Sequence, residues 1–318
     1  MLIVGAGMAG LLAAGMIRDK SVRVIEAANS LPNNHSAVLR FKSTAVADAL
    51  GIEFKTVKMM KCVESYGNPV ANAMAYSRKC TGSSTMRSIL STGTEIHTRY
   101  IAPPDLIQQM ECRVHDLRFG VPFDESEAAY NSALCVPVIS TMPMPALMKI
   151  LDYEDVPEFK FVHGANLVCK LRNVNAYVSV YVPDPSIPFN RVSITGDQMI
   201  VEFSMPGENL RAIEEEVNIL RDSKTNAEKV LFSACIAVGI NEANIVSYEW
   251  KVQRYSKILP IDESERRKFI MWATDKYGIY SLGRFATWRP GLLMDDVVHD
   301  VQVIRRIMNN GSYDYRKK

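Results

Sequence analysis

The first ten residues leave this chain few choices of fold. They read Met1-Leu2-Ile3-Val4-Gly5-Ala6-Gly7-Met8-Ala9-Gly10, an apolar run entering a Gly-x-Gly-x-x-Gly turn. An Ala-rich apolar stretch follows from Leu11 to Ile17, then Arg18-Asp19-Lys20, then a second apolar run that ends at Glu26. The order strand, glycine turn, helix, strand, acid is what makes such a triplet a dinucleotide site. Gly5 permits the tight turn, Gly7 lets the backbone approach a pyrophosphate, and Gly10 lets the helix pack on the sheet. Met8 and Ala9 open the helix, where free N–H groups and the positive dipole end favour phosphate. Glu26, followed by Ala27, stands at the end of the second strand, where its carboxylate can accept hydrogen bonds from ribose hydroxyls.

With 318 residues, the chain has room for a full core and for two lobes. Composition (47% hydrophobic, 23% charged) is that of an ordinary globular protein, and a net charge of +2 neither requires nor excludes an anionic partner. Six cysteines with no Cys-x-x-Cys spacing read as reduced thiols, with no structural zinc site and no metal expected. The apolar N-terminus lacks a basic leading segment and is broken by glycines, so it reads as structure and not as targeting. No apolar run approaches the ~20 residues that span a bilayer. A cytoplasmic protein with no membrane partner is expected.

Further along, a polar loop from Ala27 to Ser36 leads into Ala37-Val38-Leu39-Arg40-Phe41. His35, Ser36 and Arg40 are candidate cofactor or substrate contacts there, or solvated loop residues. A helix and then an extended segment are expected over 43–60. Residues 61–95, rich in Ser, Thr and Gly, suggest an excursion from the nucleotide-binding core. Arg78, Lys79 and Arg87 within it face either an anionic substrate or solvent. A proline-led helix starts near Pro103-Pro104. The buried strand through Val136 to Ile139 ends at Ser140-Thr141, and strand ends of open parallel sheets are where ligands bind. Antiparallel signals then run from 159 to 205, with a Gly196-Asp197 turn between two strands. Helical patterns cover 207–239, a strand covers Ile245 to Tyr255, and a basic helix covers Glu263 to Thr274. A last strand ends at Gly283-Arg284, ahead of a helix whose first turn holds Asp295 and Asp296, where acids suit the dipole.

Both ends of the chain resemble one group: the flavoproteins that include amine oxidases, protoporphyrinogen oxidases and UDP-galactopyranose mutases. The resemblance rests on Gly5, Gly7, Gly10 and Glu26 at one end, on Leu282-Gly283-Arg284 and Met294-Asp295-Asp296 at the other, and on Ser140-Thr141-Met142-Pro143 between them. It implies a non-covalent FAD. The first turn would hold the pyrophosphate and Glu26 the adenosine ribose, with Thr141 in the third core stretch. Gly283, Arg284, Met294 and Asp295 would lie by the isoalloxazine. Phe189-Asn190-Arg191-Val192 is similar to a mutase strand whose arginine faces the active site.

The expected fold is α/β. A Rossmann-like FAD-binding domain, a parallel sheet with helices, is built from 1–60, 131–152 and 266–318. It is interleaved with a smaller α+β substrate domain containing an antiparallel sheet, built from 61–130 and 153–265. FAD carries the hard chemistry in such a protein. Arg191, Lys251 and His35 are candidate catalytic residues. Arg191 is either a bidentate clamp for a carboxylate or phosphate or half of a salt bridge within the sheet. Lys251 or Lys257 can hold water near the flavin, or lie on the surface. Tyr248, Trp250 and Trp288 are substrate-side or core aromatics. Three activities compete. The first is oxidation of a C–N bond in a small-molecule or nucleotide-linked amine or amino-acid-like substrate. The second is redox-neutral mutase chemistry on a nucleotide sugar. The third is action on a modified base in DNA, as in phage DNA-modification pathways. For the third, Lys251, Arg254, Lys257, Arg266, Arg267, Lys268 and the basic tail would meet nucleic acid.

Overall fold

The structure, a computed structural model, describes residues 1–31, 40–64, 66–84, 93–205, 215, 218 and 224–309. In chain order the elements are β1 (Leu2–Val4), α1 (Met8–Ile17), β2 (Arg23–Glu26), β3 (Arg40–Phe41), α2 (Ala45–Leu50), β4 (Lys55–Val63), α3 (Pro69–Thr81) and β5 (Gly93–Ile101). Then come α4 (Leu106–Glu111), β6 (Asp116–Phe119), α5 (Glu125–Ala133), β7 (Val138–Ser140), α6 (Met144–Ile150) and β8 (Phe161–Leu171). The remainder is β9 (Ala176–Tyr181), β10 (Arg191–Gly196), β11 (Gln198–Met205), α7 (Lys224–Val238), β12 (Ile245–Ile258), α8 (Glu263–Tyr277), β13 (Ile279–Ser281) and α9 (Met294–Asn309).

Two sheets organise these elements. The first has five strands in the order β13-β7-β1-β2-β6, and all its pairings are parallel. Parallel sheets need cover on both faces, and this one has it. Leu11, Leu12, Leu106, Met110, Val297 and Val301 pack one face, which joins α1, α4 and α9. Leu147, Met148, Phe269 and Ala273 pack the other, from α6 and α8. The inner strands are short and buried on both sides: Leu2-Ile3-Val4 and Val138-Ile139-Ser140 are buried throughout.

The second sheet has eight strands in the order β12-β8-β11-β10-β9-β4-β5-β3. It is antiparallel apart from the parallel β4–β9 pairing. Its strands alternate. Val192, Ile194, Met199 and Val201 point into a core closed by Val230, Leu231 and Ala234 of α7. Arg191, Ser193, Ile200 and Glu202 point to the opposite face.

The expected architecture holds, but the segments divide differently. Residues 61–130 do not travel together. Strand β4 runs across position 60 into the large sheet. Strand β6 is the parallel edge strand beside β2, and α4 packs on α1. The polar 61–95 stretch hides this return. The apolar residues Leu106, Met110 and Leu117 are what draw the segment back to the parallel-sheet core. Among the described residues, no helix is long and apolar enough to cross a membrane.

Candidate functional site

Three parallel strands end side by side at one edge of the five-stranded sheet. The backbone N–H of Gly5 donates to Ile25 O (2.8 Å), that of Thr141 to Val4 O (2.9 Å) and that of Leu282 to Ser140 O (2.9 Å). The glycine turn hangs from this edge. Gly5 has φ +96°, in the left-handed region, and a Cβ there would stand 2.3 Å from Thr141 Oγ1. Thr141 Oγ1 itself donates to Val4 O (2.8 Å), which locks the turn to the neighbouring strand. A Cβ on Gly10 would stand 1.9 Å from Gly5 O, so α1 lies directly against the strand end. A Cβ on Gly7 would meet nothing within 4 Å. Gly7 is also the N-cap of α1, with no side-chain cap. The turn is closed on its inner side and open on its outer side, in front of uncapped helix amides, and that shape fits a pyrophosphate.

Glu26 sits where a ribose-binding acid belongs and also clamps the turn. Its carboxylate accepts from Ala6 N (2.8 Å) and Ala28 N (3.0 Å). Each oxygen keeps lone-pair capacity for a hydroxyl donor. Ala27, beside it, is exposed.

The chain's far end returns to the same place. Gly283 has φ +92°, and a Cβ there would stand 3.0 Å from Ala9 Cβ. Met8 and Ala9 at the start of α1 and Gly283 are therefore brought together, 274 positions apart in the case of Ala9 and Gly283. Arg284 donates from Nε and Nη2 to Leu292 O (3.2 and 2.9 Å). Met294 packs against the α1 core. Asp295 accepts from Ser43 Oγ, Ser43 N (3.2 Å) and Lys42 N (3.4 Å). It ties the start of α9 to the segment after β3.

Beside this edge lies a cavity of about 380 Å³ between the polar face of the large sheet and the returning segment. Arg191, Ser193 and Glu202 form its floor, Lys257 and Ser256 come from β12, and Arg40, Arg284 and Pro290 close it. Arg40 stands on β3, the far edge of the sheet, yet donates to Ser193 Oγ on β10 (3.3 Å). The sheet curls until its edge overhangs its own face. Arg191 pairs with Glu202 through Nε and, at 2.7 Å, through Nη2, and its guanidinium lies 5.7 Å from the Tyr181 ring centroid. Both groups are half-buried and line the cavity. Burial opposes charge on each, but the partner outweighs it. Arg191 is held well above its ordinary range and Glu202 below its own. Lys257 donates to Ser204 Oγ. Burial and the nearby Arg191 push Arg40 down to about 10.

Other sequence candidates lie elsewhere. Lys251 pairs with Glu249 (2.6 Å) on the rim side of β12. Trp288 is core, its Nε1 donating to Leu259 O (2.8 Å). Trp250 packs on Phe203, and Tyr248 is exposed. His35, Ser36, Arg87 and the tail from 310 lie outside the described residues. Arg78 donates to Ser84 Oγ, and Lys79 to Val182 O and Asp184 O. The proposed basic cluster is largely neutralised. Arg266 and Arg267 face Glu263, and Lys268 faces Asp155. Glu202 is the functional-face residue that the sequence reading passed over. Counting outward from the Gly196-Asp197 turn pairs it with Arg191.

No protein-family model matches the chain, and no curated protein does. Solved structures match by fold. Reduced UDP-galactopyranose mutase superposes with a TM-score of 0.67, at 13% identity, over 97% of this chain and 93% of that one. An oxidoreductase from Methanosarcina mazei gives 0.56, at 10% identity, over 96% and 99%. A probable FAD-dependent monooxygenase from Pseudomonas aeruginosa gives 0.55, at 12%, over 98% and 86%. The fold is that of the FAD-dependent flavoproteins. In this flavoprotein fold the glycine turn and the Gly283 segment meet as the resemblance implies, and the cavity opens beside them.

Proposed function

We propose that the chain is an FAD-dependent oxidoreductase that takes hydride from the carbon next to nitrogen, oxidising the C–N bond of an amine or amino-acid-like substrate bound in the Arg40–Arg191–Arg284 cavity. The observation that carries this reading is the open outer side of Gly7, which faces away from a turn sealed by Thr141, Gly10 and Gly283. Gly5, Gly7 and the α1 amides would hold the pyrophosphate, Glu26 the ribose, and the Gly283–Arg284 turn the ring end. FAD, when bound, supplies the hydride acceptor at its N5.

The cavity wall supports a reaction that asks little acid–base work of the protein. Glu202 is the one carboxylate among the described lining residues. Paired with Arg191 and held below its ordinary pKa, it is a poor base near neutral pH. Arg40, Arg284 and Lys257 bind and orient instead. The test is anaerobic mixing of the flavin-loaded protein with amines and amino acids. Flavin bleaching by one of them is the expected result; a flavin that none of them reduces, in a protein that binds them, ends the amine reading.

A second reading is redox-neutral action on a nucleotide sugar. The whole-chain superposition on UDP-galactopyranose mutase favours it, and a cationic cavity also suits a diphosphate. Turnover confined to protein whose flavin has been reduced beforehand, with no net oxidation, selects this reading over the first.

A further inference from the structure

The cavity's four lining cations are not equivalent. Arg191 has Glu202, which engages it with both carboxylate oxygens. Lys257 has the Ser204 hydroxyl. Arg284 has the Leu292 carbonyl, twice over. Arg40 has Met59 Sδ at 2.9 Å and Ser193 Oγ at 3.3 Å. A thioether is a weak acceptor, and a single neutral hydroxyl is little compensation for a guanidinium with five donors. Among the described residues no carboxylate forms an ion pair with Arg40. The nearby acid, Glu202, is committed to Arg191. Besides that pair, Tyr181 favours the charge on Arg40 and a further cation, Arg99, opposes it; Arg99 Nη1 itself donates to Thr98 O (2.8 Å).

A half-buried cation with no carboxylate paired to it among the described residues is costly, and an anionic ligand would offset that cost. The direction is also decided. The floor arginine of β10, which the sequence leaves as either a clamp or half of a salt bridge, is the salt-bridge half and is already neutralised within the protein. The overhanging arginine of β3 is not. A planar guanidinium with unused donors accepts a carboxylate or a phosphate in the same two-point geometry. A cavity of about 380 Å³ is the size of a small-molecule site.

We propose that Arg40 is the anchor for an anionic group, carboxylate or phosphate, on the ligand of this cavity, and that Arg191 is a structural partner of Glu202. This names the non-reacting end of the substrate and rests on the flavoenzyme reading for its role in turnover. The anchor itself is a property of the polypeptide.

Benzoate, phenyl phosphate and neutral benzamide are suitable probes, titrated calorimetrically into the protein as purified, with its flavin content measured in parallel. Wild-type protein is expected to bind at least one anion about tenfold or more tightly than benzamide. Whichever anion wins tells carboxylate from phosphate. Arg40→Gln is expected to lose that preference, Arg40→Lys to keep part of it, and the double variant Arg191→Gln/Glu202→Gln, which removes the pair without freeing a carboxylate, to keep it. As a check independent of binding heat, the preferred anion should raise the thermal midpoint of wild type and leave that of Arg40→Met unmoved. Wild-type protein that binds no anion in preference to benzamide overturns the proposal. So does an Arg40→Gln or Arg40→Met chain that responds to anions as wild type does. Anion binding through Arg40 in a chain that takes up no FAD keeps the anchor and removes the flavoenzyme reading. A flavin-loaded chain indifferent to anions does the reverse.

Discussion

Gly7 and Gly10 stand three residues apart in one turn, and the structure assigns them opposite kinds of constraint. Gly7→Ala adds a methyl with no atom within 4 Å. Its backbone, φ −69° and ψ 176°, is open to any residue. Losing glycine at an N-cap costs a few tenths to about 1 kcal/mol. Restricting the unfolded chain returns about 0.4–1 kcal/mol. The net effect on stability should stay within about 1 kcal/mol, a thermal shift of about 2–4 °C or less. The cofactor is a different matter. A methyl on the open side holds a pyrophosphate off the α1 amides, and each charged hydrogen bond lost there is worth about 1.5–3 kcal/mol. FAD affinity should fall by about tenfold or more. Gly10→Ala is the converse. Its Cβ would lie 1.9 Å from Gly5 O, which is backbone and cannot turn aside, so α1 must move by about 1 Å and destabilisation of about 1–3 kcal/mol or more follows. The assay is the flavin-to-protein absorbance ratio after dialysis, FAD titration by fluorescence quenching, and thermal unfolding of both variants. A Gly7→Ala protein that binds FAD as wild type does would refute the pyrophosphate assignment. A Gly10→Ala protein with an unchanged midpoint would refute the packing argument.

Glu202→Gln leaves Arg191 with a neutral acceptor. Because the pair keeps some exposure to the cavity, the cost should be about 1–2 kcal/mol, below that of a sealed pair, read as a lowered urea midpoint. Thr141→Val removes the hydroxyl that donates to Val4 O and should cost about 1 kcal/mol in thermal unfolding, with a weaker hold on FAD because Gly5 loses its support. Lys79 is pushed by burial from an ordinary 10.5 to about 8. Between those values the unfolded chain binds more protons than the folded one, so this group's contribution to stability rises with pH from about 8 to 10.5. In Lys79→Met that part of the rise in the urea midpoint should be missing, and an unchanged pH slope would contradict the assignment.

How much of this was legible beforehand differs from element to element. The β1–α1–β2 unit was, because strand, glycines, helix and acid are contiguous and each leaves a local mark. That Glu26 would clamp Ala6 and Ala28 was not, since a carboxylate's choice among nearby donors leaves no mark on residue order. The β10–β11 hairpin was legible from its Gly196-Asp197 turn, and its register followed by counting, so the Arg191–Glu202 pair lay within reach. Glu202 itself carries no local mark, because its role comes from the residue across the ladder. Strand β6 belongs to the nucleotide-binding sheet, and nothing in its own residues says so. Parallel pairing joins residues such as Arg23 and Asp116 through a long crossover with no turn signal to mark it. Arg40 was one candidate among several. That no carboxylate among the described residues pairs with it is a property of the curl that carries β3 over β10, and no window of sequence contains both strands.

The contact between Gly283 and Ala9 also sets an order of events in time. During synthesis the glycine turn leaves the ribosome well before the segment that braces it, which lies 274 positions further along. Strand β1 must wait for β7, and β7 in turn for β13, before this side of the sheet is complete, because no strand can pair before its neighbour exists. Long-range closure of this kind is slow and exposes unpaired strand edges meanwhile. Nascent chains arrested before position 283 should therefore retain the motif and lack the site. Cofactor capture would then wait until synthesis has passed the Gly283 segment.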